Sequence, residues 1–415
     1  MSNGMDQAVA IPFSQPAPLL RQAVEQGRFL LWRLKLSLSA LMQPADDKEQ
    51  IERQVYVIPN KITYDAASVL CRDDLPNTLG GGWDRQVKRF PIDGPLVESF
   101  RRHFLSGAKW SETDFYQGLT RRIETGEGVY GLHTRDELAQ WLKRWDELVQ
   151  NVNGGHVSAT TQETPDNWPE VPLAIGRDGT LAAVANVPAV AIAMVFGIKQ
   201  IPCRVVLRHP KWVQFCKEFQ CFSQTQHDGQ LYQPCTHVEL AEMPSSWSEQ
   251  RFRIIQNCLN GSRGRLMDIG ANLGYFCHRA EDMGYDCVAV ESCPRLAFFM
   301  EKLKQAEKRA FRVICGSFLD YPFNESYDVI LALNIFHHFL KKEDRHHKLM
   351  AMLGRMRVRE MIFQAHKPDE PQMANAYRNY SPDEFVQFIL AHSCLKSAEY
   401  IGADQDRPIY RLRAA

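Results

Sequence analysis

Four closely spaced residues, Asp268, Gly270, Asn272 and Gly274, have the types and spacing that suit a nucleotide-like ligand. They lie in RLMDIGANLGYF, where a short apolar run ends in an acid and a glycine-spaced turn leads into a helical pattern. The glycines let the backbone adopt positive φ and let a ligand approach the main chain, while the next helix starts with unpaired N–H groups. The sequence therefore predicts a strand, a tight ligand-binding loop and a helix, with Asp268 at the carboxyl end of the strand.

Three further apolar runs follow this loop, and each ends in polar residues. The first ends at Glu291, about twenty residues after Asp268, where a doubly wound fold places a carboxylate that accepts hydrogen bonds from ribose hydroxyls. The second ends in Gly316-Ser317-Phe318, and the third ends in Asn334, followed by IFHHF. These spacings support a nucleotide-like ligand at the carboxyl edge of a sheet.

Adjacent His337 and His338 follow the last of these runs and are candidates for a general base. An imidazole can accept a proton near neutral pH, and ligands of open α/β sheets bind at this edge. The alternative is that both histidines pack at a helix start without a chemical role. His366, after the next predicted strand, is a weaker candidate.

In this order, the strings DIGANLGYF, VES, GSF and YDVILALNIFHHF resemble the motifs of class I S-adenosylmethionine (SAM)-dependent methyltransferases. The resemblance runs from about Arg251 to the C-terminus and implies SAM as the cofactor. It implies that SAM contacts fall into four groups: Asp268, Gly270, Asn272 and Gly274 on the methionine moiety, Glu291 on the ribose, Ser317 and Phe318 on the adenine, and Asn334 below the sulfonium. Many family members hold the adenine amino group with an acid after the third strand, and this chain has none there.

The predicted fold is α/β, with a Rossmann-like, seven-stranded and mostly parallel methyltransferase sheet that carries helices on both faces. The chain has 415 residues, which is too long for one such domain, so a second folded unit is expected before it. The predicted divisions are an N-terminal arm and amphipathic helix at 1–44, an α+β domain at 45–215, a linker at 216–250 and the methyltransferase domain at 251–415.

The pattern over 171–208 is a strand, a GRDG turn, a short strand, an alanine-rich helix and a final strand. It resembles a ParB/sulfiredoxin-like domain, and the resemblance covers Gln54 to about Phe215. That family normally opens this helix with glycine, histidine and arginine residues that bind phosphate, whereas this chain reads AVANVPAVAIA. The departure predicts a degenerate domain that serves as a scaffold or helps to bind the acceptor.

Two segments outside the sheet are candidate ligand sites. The loop 367–380 has the composition of a lid, and Arg378 and Tyr380 are predicted to contact the acceptor. The alternative is an ordinary connecting loop. The predicted linker holds three cysteines and two histidines, but without a paired C-x-x-C element a solvated linker is favoured over a zinc site. No metal requirement is predicted, because no acidic cluster follows the fourth strand.

The segment Leu19 to Met42 has apolar residues at helical spacing, interrupted by three cations. It is predicted to dock on its own protein or on a second subunit, and a helix in a membrane interface is the alternative. No apolar run approaches the length of a membrane span, and no secretory signal is evident. The eleven cysteines, an odd number, are typical of reduced thiols, so a cytoplasmic location is expected.

Two functional classes compete. The first is an enzyme that methylates a small molecule or glycan, with O-methylation favoured, for which alignment and proton removal are the main tasks. Surface-polysaccharide metabolism is a looser expectation. The second is a non-catalytic binding or assembly protein that retains the methyltransferase fold. Nucleic acid is disfavoured as an acceptor, because 49 basic residues balance 49 acidic ones and Asn334 does not open an N-P-P-Y type motif.

Overall fold

The computed structural model describes residues 18–42, 53–67, 69–70, 75–90, 93–154, 164–165, 167–226, 229–247, 249–259 and 263–415. Its elements form two sheets with their helices. The first half, called the N-terminal unit, comprises α1 (Pro18–Met42), β1 (Arg53–Val57), β2 (Ile62–Asp65), β3 (Lys88–Arg89), α2 (Pro95–Ser106), α3 (Asp114–Glu124), α4 (Arg135–Gly154), β4 (Val171–Ile175), β5 (Leu181–Ala183), α5 (Val187–Phe196), β6 (Ile201–Arg208) and α6 (Pro210–Gln224).

The second half, called the C-terminal unit, comprises α7 (Gln250–Leu259), β7 (Gly264–Ile269), α8 (Tyr275–Asp282), β8 (Tyr285–Glu291), α9 (Pro294–Ala306), β9 (Arg312–Cys315), β10 (Tyr327–Leu333), α10 (His337–Leu340), α11 (Glu343–Arg355), β11 (Val358–Gln364), α12 (Pro382–His392), β12 (Leu395–Asp404) and β13 (Arg407–Ala414).

The C-terminal sheet has seven strands, which is the predicted number. Their order is β12-β13-β11-β10-β7-β8-β9. The five strands from β11 to β9 are parallel, and β13 runs antiparallel to β11 and β12. Strands β7, β8 and β10 are rich in valine, isoleucine and leucine because both faces are covered. The carboxyl ends of β7, β8, β9 and β10 therefore share one edge, which positions the site.

The N-terminal sheet has six strands in the order β1-β6-β4-β5-β2-β3 and mixed direction. Its central helix, α5, is apolar on every side and almost wholly buried. The predicted order of strand, GRDG turn, strand, helix and strand is present in β4, β5, α5 and β6.

The segment predicted to be a linker is packed instead. Helix α6 continues to Gln224, so Cys216 and Cys221 lie within a helix. We call residues 229–247 the cover segment. Its side chains Leu231, Leu240 and Trp247 are buried, which a solvated linker would not show.

The two units meet through buried charge as well as apolar packing. At the end of α9, Glu307 accepts a hydrogen bond from Lys61 of the N-terminal unit (2.7 Å) and another from Thr236 of the cover segment. Although burial alone would raise the pKa of Glu307, contacts with His278, Lys61 and His237 hold it well below its usual value. Residues from both halves of the chain therefore contact the Glu307 carboxylate.

Candidate active site

The loop between β7 and α8 has the predicted conformation. Gly270 and Gly274 have φ values of 72° and 83°, in the left-handed region that favours glycine. A Cβ on Gly270 would lie 2.7 Å from Ile335, and one on Gly274 would lie 2.9 Å from Met300. The backbone N–H of Gly270 donates to the Val290 carbonyl (2.8 Å), which ties the loop to β8. A side chain at either position would therefore strain the backbone and collide with a neighbouring residue.

Asp268 ends β7 as a buried carboxyl whose Oδ2 has no hydrogen-bond partner among the described residues. Burial and, to a smaller extent, the nearby Glu291 raise its pKa to about 7, against the opposing effect of Arg251. A buried acceptor without a partner costs free energy, so the site is incomplete around Asp268 unless a donor arrives.

Glu291 ends β8 in the position predicted for it. Its two carboxylate oxygens accept hydrogen bonds from the backbone N–H groups of Asn272 (2.9 Å) and Cys293 (2.7 Å). Burial raises the pKa of Glu291, and the backbone N–H donors oppose that rise. The carboxylate is held in place and reaches the cavity wall.

Asn272 and Asn334 both adopt left-handed backbone conformations, with φ values of 54° and 53°. Such residues store strain and are often found at functional sites. The Oδ1 atoms of both have no partner among the described residues, although the Asn334 Nδ2 donates to the Tyr232 hydroxyl (3.0 Å). Two amide oxygens are thus available to a donor in the cavity.

The cavity at this sheet edge has a volume of about 1000 Å³, at the upper end of the range for small-molecule sites. Eight of the predicted site residues line it: Gly270, Asn272, Glu291, Ser317, Phe318, Asn334, His337 and His338. The structure brings the cofactor-binding candidates together around one space, with Asp268 buried at the end of β7. The unpaired oxygens and the glycine loop fit a polar, nucleotide-like group such as SAM.

His337 and His338 begin the short helix α10 at the same cavity. His337 is buried and neither ring nitrogen has a partner among the described residues. Burial, together with smaller contributions from the neighbouring His338 and His366, lowers its pKa to about 3. The His338 ring reaches solvent, and partial desolvation with the charges of Lys341 and Arg345 lowers its pKa to about 4. Both imidazoles are therefore neutral near pH 7.

The weaker candidate His366 is buried beside His337, with a ring separation of 5.7 Å. Its Nε2 pairs with the Asn379 amide oxygen (3.0 Å). His366 does not line the cavity, so it neighbours the candidate base without facing the same space.

Sequence reasoning missed the contribution of the cover segment. Tyr232, Ser246 and Trp247 line the cavity, together with Gln405 and Arg407 from the β12–β13 turn region. The buried Arg251 guanidinium stacks 3.2 Å from the Trp247 ring centroid and pairs with Asp404 (3.1 Å). The aromatic residues of the cover segment, Tyr232 and Trp247, were the available signal. They occur in an aperiodic sequence without a recognisable motif.

The structure does not bring Arg378 and Tyr380 to this cavity. The Arg378 backbone N–H donates to the Leu340 carbonyl, and its guanidinium lies over the Tyr377 ring. The Tyr380 ring stacks on Phe388, and its hydroxyl pairs with the buried His346 (3.0 Å). The loop 367–380 therefore packs against α11 and α12 through Tyr380, and the predicted acceptor contacts of Arg378 and Tyr380 have no support in this placement.

The cysteine and histidine residues considered for zinc do not converge. Cys216 and Cys221 lie on α6, Cys235 is buried, and the His237 Nε2 donates to the Gly179 carbonyl (2.9 Å). His227 lies outside the described residues. Across the described part of the chain, no group of three or more histidine, cysteine or acidic side chains could hold a metal ion.

None of the helices in the described ranges combines the length and the hydropathy that crossing a bilayer requires. No curated protein matches the chain in sequence. A solved structure of monomeric WbdD is 17% identical and matches 44% of this chain and 46% of its own, with a TM-score of 0.39. This chain therefore spans less than half the length of that relative. N-methyltransferase NodS from Bradyrhizobium japonicum WM9 is 12% identical over 40% of this chain and 94% of its own, with a TM-score of 0.32.

One family model matches within the C-terminal unit and covers the glycine loop, β8, β9, β10 and the histidine pair. Its description is a methyltransferase domain, and the matched residues are 267–357. Residues 267–357 of the C-terminal unit are therefore similar to a methyltransferase domain.

Proposed function

We propose that this protein is a SAM-dependent methyltransferase that transfers a methyl group to a small-molecule or glycan acceptor, with O-methylation favoured. The observation that carries the proposal is a pair of amide oxygens, on Asn272 and Asn334, that line one cavity and have no partner among the described residues, together with the unpaired carboxyl oxygen of Asp268 buried in β7 at the same sheet edge. Buried polar atoms in folded proteins are nearly always paired, so their convergence indicates a ligand with several donors.

Within this proposal, different residues hold different parts of the cofactor. Asp268, Gly270, Asn272 and Gly274 hold its methionine end, Glu291 holds the ribose, and Asn334 lies under the reacting centre. Ser317 and Phe318 flank the adenine. When bound, SAM supplies a methyl group on an electron-poor sulfur. The chain's own task is to align the acceptor with that group and to exclude water.

His337 and His338 are the proposed bases for a hydroxyl acceptor. Each is neutral at pH 7 and can take the proton that the hydroxyl loses. His338 stands where the cavity meets solvent, and His337 is buried with both nitrogens unpaired. Either ring can serve, and separate substitutions distinguish them.

The charges around His338 favour an acceptor that carries an acidic group, such as a nucleotide sugar or an acidic glycan. Arg345 and Lys348 line the cavity, are exposed, and form no ion pair with a described residue. Lys341 is close enough to lower the pKa of His338. Two acids, Glu343 and Asp344, lie in the first turn of α11, and Asp344 lines the cavity. The two lining cations of this helix outnumber that acid, so this part of the wall remains positive. A role in surface-polysaccharide metabolism is consistent with such an acceptor.

The N-terminal unit is proposed to be a degenerate ParB-like domain that acts as a scaffold, and the cell interior is the proposed location. The ten described cysteines are all free thiols, which suits a reducing compartment. The apolar start of α5 offers no phosphate-binding side chains. This favours a structural role for that unit and leaves methyl transfer to the C-terminal unit.

The deciding experiment is calorimetric titration of the full chain with SAM and with its demethylated product. We expect about one molecule of each to bind per chain, and Asp268→Asn to weaken binding. Asp286→Asn is the matched control, because that acid is on β8 but has a side chain 70% exposed. Folded protein that gives no binding heat would remove the methyltransferase proposal. Binding without turnover on any acidic glycan or nucleotide sugar would favour the non-catalytic binding alternative.

A further inference from the structure

Helix α1 is apolar on two opposite faces. One face docks on the protein: Trp32 contacts Phe222 on α6 and Phe299 on α9, with ring separations of 6.2 and 6.0 Å. On the same face Arg33 pairs with Glu218 (3.1 Å), and Leu36 is buried. This face confirms the predicted docking on the chain itself, which leaves the other face to explain.

The opposite face carries four exposed leucines. Leu30, Leu31, Leu34 and Leu38 are 67%, 59%, 60% and 51% exposed. The remaining large apolar side chains exposed in the described ranges, namely Tyr56, Ile58, Leu105 and Tyr400, are distributed over other elements. Single exposed leucines are ordinary, but a contiguous row of four marks an interaction surface.

The spacing of this row is that of a helix pair. Gly27, Leu31, Leu34 and Leu38 are separated by four, three and four residues, and in the sequence the same alternation includes Leu20, Val24 and Leu41. Three heptads with this alternation are typical of coiled coils. A Cβ built on Gly27 would meet no atom within 4 Å, so a partner helix can approach closely there.

We infer that the leucine row of α1 binds the α1 helix of a second copy of this chain, parallel and around a twofold axis. The central line of the row is Gly27, Leu31, Leu34 and Leu38. The exposed cations Arg28 and Lys35 lie along one edge of this line only, and Leu30 and Ser37 lie along the other. In a parallel pair, opposite edges meet, so each cation lies beside an uncharged residue of its partner. An antiparallel pair would place cations against cations.

This partner fits better than a lipid surface. A helix in a membrane interface turns a broad charged face to the headgroups, whereas the face of α1 opposite the leucines is buried against α6 and α9. Only the narrow edge with Arg28 and Lys35 offers charge to a membrane. The α1 helix of a second copy would bury all four exposed leucines.

The test is the molar mass of the full chain by light scattering over a dilution series. We expect twice the 47.6 kDa chain mass, and a shift to the single-chain mass for the double variant Leu31→Glu with Leu34→Glu. Leu105→Glu is the matched control, since Leu105 is 57% exposed on α2, and it should leave the dimer intact. Thermal unfolding of each variant shows whether its fold is retained.

A second variant fixes the orientation. Leu34→Cys should form a disulfide between two chains under mild oxidation, because equivalent core positions meet in a parallel pair, whereas Leu105→Cys should behave as the unsubstituted chain does. A single-chain mass at every concentration would overturn the inference. So would a chain that stays monomeric but sediments with vesicles of phosphatidylglycerol and phosphatidylcholine, which would assign the row to a membrane.

Discussion

Three asparagines in the two units share a left-handed backbone and differ in what completes them. Asn186 precedes α5 with a φ of 55°, and its Nδ2 donates to the Glu170 carbonyl (2.8 Å). In the C-terminal unit, Asn272 and Asn334 have φ values of 54° and 53°, but their buried Oδ1 atoms have no partner among the described residues. Asn186 leaves no buried side-chain polar atom unpaired within those residues, whereas each C-terminal asparagine leaves one acceptor for a donor.

The acids of the two units differ in the same way. Asp84 is partly buried, but hydrogen bonds from Arg177 hold its pKa below the usual value. Asp268 is buried without such a partner, and its pKa rises. Comparing the two regions teaches that a left-handed turn or a buried acid does not by itself indicate a site. The informative observation is a group of unpaired polar atoms at one cavity, since single unpaired atoms such as those of Thr120 and Trp145 also occur in the N-terminal unit.

The largest expected effect tests whether the unpaired imidazoles do chemistry. Alanine at His337 or at His338, whichever is the base, should lower turnover about a hundredfold or more and leave SAM affinity unchanged. His347→Ala, on the exposed side of α11, is the control. Because the pKa values are lowered to about 3 and 4, wild-type turnover at saturating SAM should persist at pH 5.5 and fall only as the pH drops through about 4. Loss of turnover at saturating SAM near pH 6.5 would contradict this environment.

A smaller effect is expected from the titration of Asp268. Its pKa of about 7 means that protons compete with a cationic ligand, so SAM affinity should rise about tenfold between pH 6 and pH 8. The folded state also binds this proton more tightly than the unfolded state. The Asp268 contribution to the free energy of unfolding therefore declines as pH rises from about 4 to about 7. Asp268→Asn should flatten both profiles in calorimetry and in denaturant unfolding; an unchanged affinity profile would show that Asp268 stays charged.

The paired glycine variants Asn272→Gly and Asn186→Gly compare the two loops directly. Glycine keeps the left-handed backbone in both and removes only the amide. Asn272→Gly should weaken SAM binding about fivefold, equivalent to one hydrogen bond of about 1 kcal/mol. Asn186→Gly should leave the dissociation constant unchanged. Equal effects on SAM affinity would mean that the unpaired oxygen carries no binding role.

The smallest effect concerns the positive wall. Lys348→Gln with Arg345→Gln should raise the KM of an acidic acceptor about three- to tenfold, with SAM affinity unchanged, because each exposed cation contributes up to about 1 kcal/mol. Added salt should reduce the difference between wild type and variant. An uncharged acceptor analogue serves as the control and should show no change in KM.

Much of the C-terminal unit could be predicted because its signals are local. The strand, glycine turn and helix pattern at Asp268 to Phe276 places the loop, and the Ser-x-x-Glu pattern at Ser381 marks the start of α12, where Ser381 and Glu384 form a capping box. Strand ends then place Glu291 and Asn334, because parallel strands bring their carboxyl ends to one edge. Each of these inferences needs only spacing within a short stretch of chain.

What could not be predicted depends on contacts distant in the chain. Tyr232 reaches Asn334 across 102 positions, and Arg251 reaches Asp404 across 153. Neither contact leaves a periodic trace, so the cover segment resembled a linker. Tyr380 shows the reverse problem. Its loop had the composition of a lid, but an aromatic ring beside Phe388 gains more from burial in the α11–α12 packing than from facing solvent.

The shared carboxylate at Glu307 has a consequence for anyone who divides this chain. A clone that begins at residue 251 matches a boundary in the sequence, but it removes Lys61 and Thr236 and leaves a buried anion short of two partners. It also removes α6, whose Phe219 ring packs against Phe299, and so exposes an aromatic side chain that is fully buried in the whole chain. Domain exchange or fusion designs should therefore keep the N-terminal and C-terminal units together.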